Sequence, residues 1–170
     1  MKQLFLLRHA KSGWGDPGLA DHDRPLAPRG ERAVPKVAAQ LSHWLEGPLL
    51  VLCSSARRTR ETLAHVESVL TVPLLVEVER GLYLASASAL LERVRGVDGE
   101  VDQVLVIGHN PGISELAVGL CDPAAAHSAH LRDSFPTAAL ARLEFEVADW
   151  RAVGFGRGRL VDFVRPKDLD

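Results

Sequence analysis

The run "VDQVLVIGH", residues 101 to 109, restricts the architecture more than any other stretch of the chain. Val, Ile or Leu fills most of its positions, without the apolar–polar alternation of a strand that shows one face to water. A strand of this kind is covered on both faces, as in the interior of a parallel sheet flanked by helices. The rest of the chain supplies partners for it. Strands are predicted over Lys2–Arg8, Pro48–Ser54, Val101–Gly108 and Ala138–Val147, with Arg159–Arg165 as the last; helices are predicted over Arg29–Trp44, Arg57–Val69, Ala87–Arg95 and Ile113–Cys121. In the first helix Ala33, Val34, Val37, Ala38, Leu41 and Leu45 form one apolar stripe at helical spacing. Pro35 either kinks that helix or moves its start beyond residue 29. Strand–helix alternation implies a three-layer α/β/α architecture with a mostly parallel central sheet. No repeat or long linker divides the 170 residues, so 1–170 is read as a single domain.

Charge narrows the choice of partner. With 20 Lys+Arg against 22 Asp+Glu the formal charge is −2, and no basic field points to nucleic acid. No apolar run approaches the ~20 residues that cross a bilayer, and no basic segment followed by a long apolar stretch opens the chain. A soluble, cytoplasmic protein is expected. Cys53 and Cys121 share no CxxC spacing and are expected as reduced, buried thiols. His127 and His130 form an HxxH without a Cys or carboxylate at metal-site spacing, so they are read as loop residues near a pocket mouth. The glycines of "AVGFGRGRLVDF" open no helix and lack the Lys-Ser/Thr of a phosphate loop; a tight β-turn is the reading there.

Three predicted strands end on charged or titratable residues. "LLRHA" delivers Arg8 and His9, "VLCSSARRTRETL" enters a helix through Arg57, Arg58 and Arg60, and "VLVIGHNPG" delivers His109. Singly, each has an ordinary reading: surface decoration, a solvated helix start, or a tight turn capped by Asn110. Together they fit poorly with it, because the crevice beyond the carboxyl ends of parallel strands is where ligands bind in open α/β sheets. Two histidines and at least one arginine gathered there suit a phosphoryl group. Arginine matches its oxygens as a rigid, permanently charged fork, and a helix N-terminus near Ser54–Arg58 adds backbone N–H groups. A neutral imidazole can attack phosphorus, and a second, protonated one can stabilise the developing oxygen charge.

In this order, "LLRHAKS", "DRPLAPRG", "CSSARRTRET", "VIGHNPGISELA" and "FPTAAL" resemble the histidine phosphatase superfamily, most closely its short branch of SixA-type phosphohistidine phosphatases. The resemblance runs from Leu4 to about Leu140, with Ala10 where the family usually has glycine. It implies a phosphoglycerate mutase-like fold and a metal-independent, cofactor-free phosphatase that passes through a phosphohistidine. It also implies roles: His9 as nucleophile, Arg8 and Arg58 gripping the phosphoryl oxygens, His109 as second histidine and Arg24 as an extra arginine. Ser12 and Asn110 would support them. The implied substrate is a phosphohistidine protein, such as a histidine-containing phosphotransfer domain. Rival readings are a small-molecule phosphatase or mutase of the same superfamily, or a phosphate-binding module without catalysis.

Many members add a carboxylic acid that protonates the leaving oxygen. By position Glu79 is the first candidate for that acid, with Glu115 and Asp23 behind it, though each is more simply read as a surface or helix-capping carboxylate. An enzyme without the acid should still cleave P–N bonds, since an imidazole can be protonated before it leaves. Alkyl phosphates would suffer more, because general acid catalysis is typically worth ~10²–10⁴.

Overall fold

In the first strand Leu4 and Leu6 face one side of the sheet and Phe5 and Leu7 the other, and all four are buried. Alternate side chains of a strand point to opposite faces, so an unbroken apolar run requires a layer on each side. The computed structural model, which describes residues 1–124 and 129–170, has that arrangement. Six strands, β1 (Lys2–Arg8), β2 (Leu49–Ser54), β3 (Leu74–Glu79), β4 (Gln103–Gly108), β5 (Leu140–Phe145) and β6 (Arg159–Val164), form one sheet in the order β3-β2-β4-β1-β5-β6. The β3–β2, β2–β4 and β4–β1 pairings are parallel, whereas β5 and β6 join antiparallel. The sheet is therefore mostly parallel, with helices on both faces.

Helices α1 (Pro28–Trp44) and α2 (Arg57–Glu67) cover one face, packing Val34, Val37, Ala38, Leu41, Leu63 and Val66 against Phe5, Leu7, Val51 and Ile107. Helices α3 (Ala87–Arg95) and α4 (Gly112–Leu120) cover the other, where Leu90, Val94, Ile113 and Leu116 meet Leu4, Leu6, Val104 and Val106. A short α5 (Ala129–Asp133) precedes β5. Cys53 and Cys121 are free and buried, one in each of these core layers.

Three local outcomes differ from, or sharpen, the sequence reading. No strand was predicted over β3, "LLVEVE", an edge strand with Leu75 and Val78 exposed and therefore without a fully apolar run. Helix α1 begins at Pro28 and continues through Pro35, which lacks the N–H that would bond the Glu31 carbonyl. The glycine-rich stretch turns at Phe155–Gly156, with Gly156 at φ +76°, a left-handed conformation that costs glycine nothing. Among the described residues no helix is long and apolar enough to cross a membrane.

Candidate active site

Strand order brings the three unusual strand ends together. β4 lies between β2 and β1, with Arg8 in register with Gly108 and Cys53 with Ile107. His9 and His109 therefore leave adjacent strands at the same level, their rings 5.4 Å apart between centroids. The end of β1 is fixed from both sides: the His9 N–H donates to the Gly108 carbonyl at 3.0 Å, and the Ala138 N–H donates to the carbonyls of Arg8 and His9, both at 3.0 Å. The Ala10 N–H donates to Thr62 Oγ1, whose hydroxyl donates to the Arg58 carbonyl, tying this loop to α2.

These elements enclose a cleft of about 250 Å³ lined by Arg8, His9, Ser12, Arg24, Arg58, His109 and Asn110, with Lys11, Trp14, Leu84 and Thr137 at its rim. Arg58 is buried, while its neighbours Arg57 and Arg60 are exposed and bond Glu61 and the Ser55 carbonyl. Helical periodicity thus turns one of the three arginines inward. Arg8 Nη1 donates to the Phe135 carbonyl at 3.1 Å, and Asn110 Nδ2 donates to the same oxygen at 2.9 Å. Among the described residues Arg8 Nε, Arg58 Nε and His109 Nδ1 are buried without a hydrogen-bond partner. Three such groups around one cleft suit an anionic ligand with several oxygens.

The imidazole states follow from their partners. His9 Nδ1 lies 2.7 Å from the Ala10 carbonyl, which can only accept, so Nδ1 carries the hydrogen and Nε2 the lone pair. Burial, together with the fields of Arg58, Arg8 and Arg24, pushes the His9 pKa down to about 4. His109 Nε2 lies 2.7 Å from Ser54 Oγ, and burial, then Arg58 and the neighbouring His9, push its pKa down to about 3. Both rings are neutral at neutral pH. The protonated second imidazole expected from the sequence belongs to the transition state; before negative charge develops, burial and the neighbouring guanidinium groups keep the His109 ring neutral.

The organising carboxylate is one that the sequence reading passed over. Asp21, in a short 3₁₀ turn (Asp21–Asp23), accepts from Arg24 Nε at 3.1 Å and Nη2 at 3.0 Å through Oδ1, and from Arg58 Nη2 at 3.1 Å through Oδ2. Its carbonyl accepts from Arg58 Nη1 at 2.8 Å, and Tyr83 donates its hydroxyl to Oδ2. The Tyr83 hydrogen bond and the two guanidinium groups hold the Asp21 carboxyl down at about 2. Arg24 Nη1 also donates to Ser12 Oγ at 2.8 Å, joining Ser12 to the cluster.

Glu79 does not reach this cleft: both its oxygens accept from Arg93 Nε at 2.9 Å, away from His9. Glu115 is exposed on the first turn of α4, and Asp23 is exposed beside His22. Among the described residues no carboxylate lines the cleft, and no group of three or more His, Cys, Asp or Glu could hold a metal. The side chains of His127 and His130 fall outside what the structure describes. The spacing Asp21-x-x-Arg24 was the available signal for the missed carboxylate, since residues three apart in a helical turn face one another.

Known proteins share this fold. Residues 4–83 match the histidine phosphatase superfamily (branch 1). An uncharacterised protein of Mycobacterium tuberculosis is 37% identical over 164 residues, covering 95% of this chain and 100% of its own length. A candidate SixA phosphohistidine phosphatase of Nakamurella multipartitia superposes with a TM-score of 0.85 at 29% identity, over 97% of this chain and 96% of that one. The protein histidine phosphatase SixA complexed with tungstate gives 0.79 at 25% identity, over 99% of both chains. With the matched motifs meeting in one cleft on a shared fold, the chain belongs to the histidine phosphatase superfamily, branch 1.

Proposed function

We propose that this protein is a metal-independent phosphatase that works through a phosphorylated His9 and prefers phosphohistidine in proteins. The observation that carries the reading is the state of His9: a neutral ring, its Nδ1–H fixed on the Ala10 carbonyl, with the Nε2 lone pair left for attack beside three guanidinium groups. A phosphate-binding module needs the arginines but not a prepared nucleophile. The solved SixA holds tungstate, a tetrahedral oxyanion, which fits a cleft of this charge.

In the first step Nε2 of His9 attacks phosphorus in line and forms a P–N bond as the bond to the leaving group breaks. Arg8, Arg24 and Arg58 neutralise the equatorial oxygens, a task that Mg²⁺ performs in many phosphoryl-transfer enzymes. His109 presents its unpartnered Nδ1 to the transferring group. A leaving imidazole protonated on its other nitrogen departs neutral and needs no enzymatic acid. Water then attacks the phosphorylated His9, phosphate leaves, one proton passes to solvent and the neutral ring is restored. The absence of a carboxylate among the described cleft residues favours phosphohistidine over alkyl phosphates.

The test is metal-free hydrolysis of a phosphohistidine protein beside p-nitrophenyl phosphate and phosphoserine, with His9→Ala as control. Phosphohistidine turnover well above phosphoserine turnover, lost in the variant, is expected. Equal turnover of phosphoserine defeats the substrate assignment, and phosphate binding without any turnover defeats the enzymatic one.

A further inference from the structure

Trp14 is 76% exposed, in a loop between Gly13 and Gly15, yet it lines the same cleft as His9 and Arg58. Its position is anchored. The Gly13 N–H donates to the Pro25 carbonyl at 3.0 Å, and Ser12 bridges Leu26. One face of the indole lies against the Arg24 guanidinium, whose central carbon is 3.7 Å from the ring centroid. Arg24 is held in turn by Asp21 and Ser12, so the ring rests on a fixed plane. Leu84 is the other large apolar side chain at the rim; it is 55% exposed and at φ 50°, a left-handed conformation unusual for leucine.

Both large apolar side chains that line the described cleft are thus left open to solvent, beside the phosphoryl site. The phosphoryl group itself has no use for them, since its recognition is complete in guanidinium and imidazole nitrogen. They suit what remains outside the arginine cluster when phosphorus sits at His9, namely the leaving group. An indole offers a flat face that favours a second planar ring, and Arg24 behind it fixes the plane of the platform. We infer that Trp14 is a specificity-determining residue, stacking the imidazole of the substrate phosphohistidine while Leu84 closes the rim. The inference rests on the phosphohistidine reading above and adds the group that recognises the leaving ring.

Two substrates with the same reacting bond separate this role from a structural one. Phosphoramidate and a phosphohistidine peptide both break P–N, but only the peptide carries a ring. Trp14→Ala should lower the ratio of kcat/KM for the peptide to that for phosphoramidate by about five- to tenfold, the worth of one aromatic stack. Trp14→Phe should keep most of the ratio. Any loss transmitted through Arg24 affects both substrates and cancels. An unchanged ratio in Trp14→Ala overturns the inference while leaving the phosphatase reading intact. Failure of the wild type to hydrolyse either substrate overturns the functional reading, and this inference with it.

Discussion

Acidification should separate His9 from an ordinary histidine, and the size of the effect follows from its surroundings. The ring is buried, with a pKa of about 4 in the folded protein against 6.5 for a free imidazole. At about pH 5 an exposed histidine is almost wholly protonated, whereas His9 carries the proton in only roughly a tenth of molecules. The sign for stability follows: the folded-state pKa is depressed, so the unfolded chain binds the proton first. The penalty is absent above the unfolded pKa, grows as pH falls from 6.5, and levels off below about 4. Between about pH 7.5 and pH 5, linkage gives a loss of ~2 kcal/mol of folding stability from His9 alone. His109, depressed to about 3, acts in the same direction. Two measurements check this in buffer free of phosphate and sulfate. Imidazole ¹⁵N shifts should report Nε2 unprotonated at pH 5. Urea unfolding of His9→Asn, whose amide can still donate to the Ala10 carbonyl, should depend less on pH than the wild type by about that ~2 kcal/mol. A His9 ring that titrates near 6.5, or a variant with the wild-type pH slope, would refute the argument.

Other substitutions divide along the same geometry. Glu79→Gln breaks an ion pair with Arg93 outside the cleft, so phosphatase kcat should stay within about twofold; a loss in the ~10²–10⁴ range would make Glu79 the missing acid after all. Asp21→Asn should cost kcat no more than about tenfold, because the ionised carboxylate orients Arg24 and Arg58 without giving up a proton; a larger loss together with a vanished basic limb in the pH–rate profile would assign it acid catalysis instead. Gly112→Ala would set a Cβ 2.0 Å from the Ala85 carbonyl oxygen and displace the start of α4 behind His109. Urea unfolding should register a loss of ~1–3 kcal/mol or more.

Most of the frame was legible because it is written in burial. Runs such as "LFLL" and "VLVIG" admit few environments, and β1 and α3 occupy the residues that periodicity predicted. β3 was missed because edge strands need no continuous apolar run, and it pairs with β2 through backbone groups that every sequence has. The same divide holds in the cleft. His9, Arg8, Arg58 and His109 stand at the ends or starts of regular elements, where sequence position fixes spatial position. Asp21, Tyr83 and Trp14 come from irregular segments, and their meeting with Arg24, Arg58 and one another depends on how loops cross the strand ends. In "ADHDRPL" Asp23 is a candidate acid by sequence, yet the 3₁₀ turn presents Asp21 to the arginines. The spacing Asp21-x-x-Arg24 is what distinguishes the two carboxylates, and it has meaning only where a helical turn forms.

The charges of the cleft explain why such a carboxylate belongs there. Arg24 and Arg58 pair with one ionised Asp21, Arg8 and Lys11 line the same cleft, and both imidazoles are neutral, so the cleft keeps a positive surplus for a negatively charged phosphoryl group. Without Asp21, Arg24 and Arg58 would lose the carboxylate that pairs with both and would repel each other more strongly. With the carboxylate they are fixed at the correct angles and partly discharged. A bound dianion offsets the guanidinium fields that add to burial in holding the histidines neutral, which favours a proton on His109 as negative charge grows on the transferring oxygens. Burial and the guanidinium groups together thus keep the Nε2 lone pair of His9 available for attack.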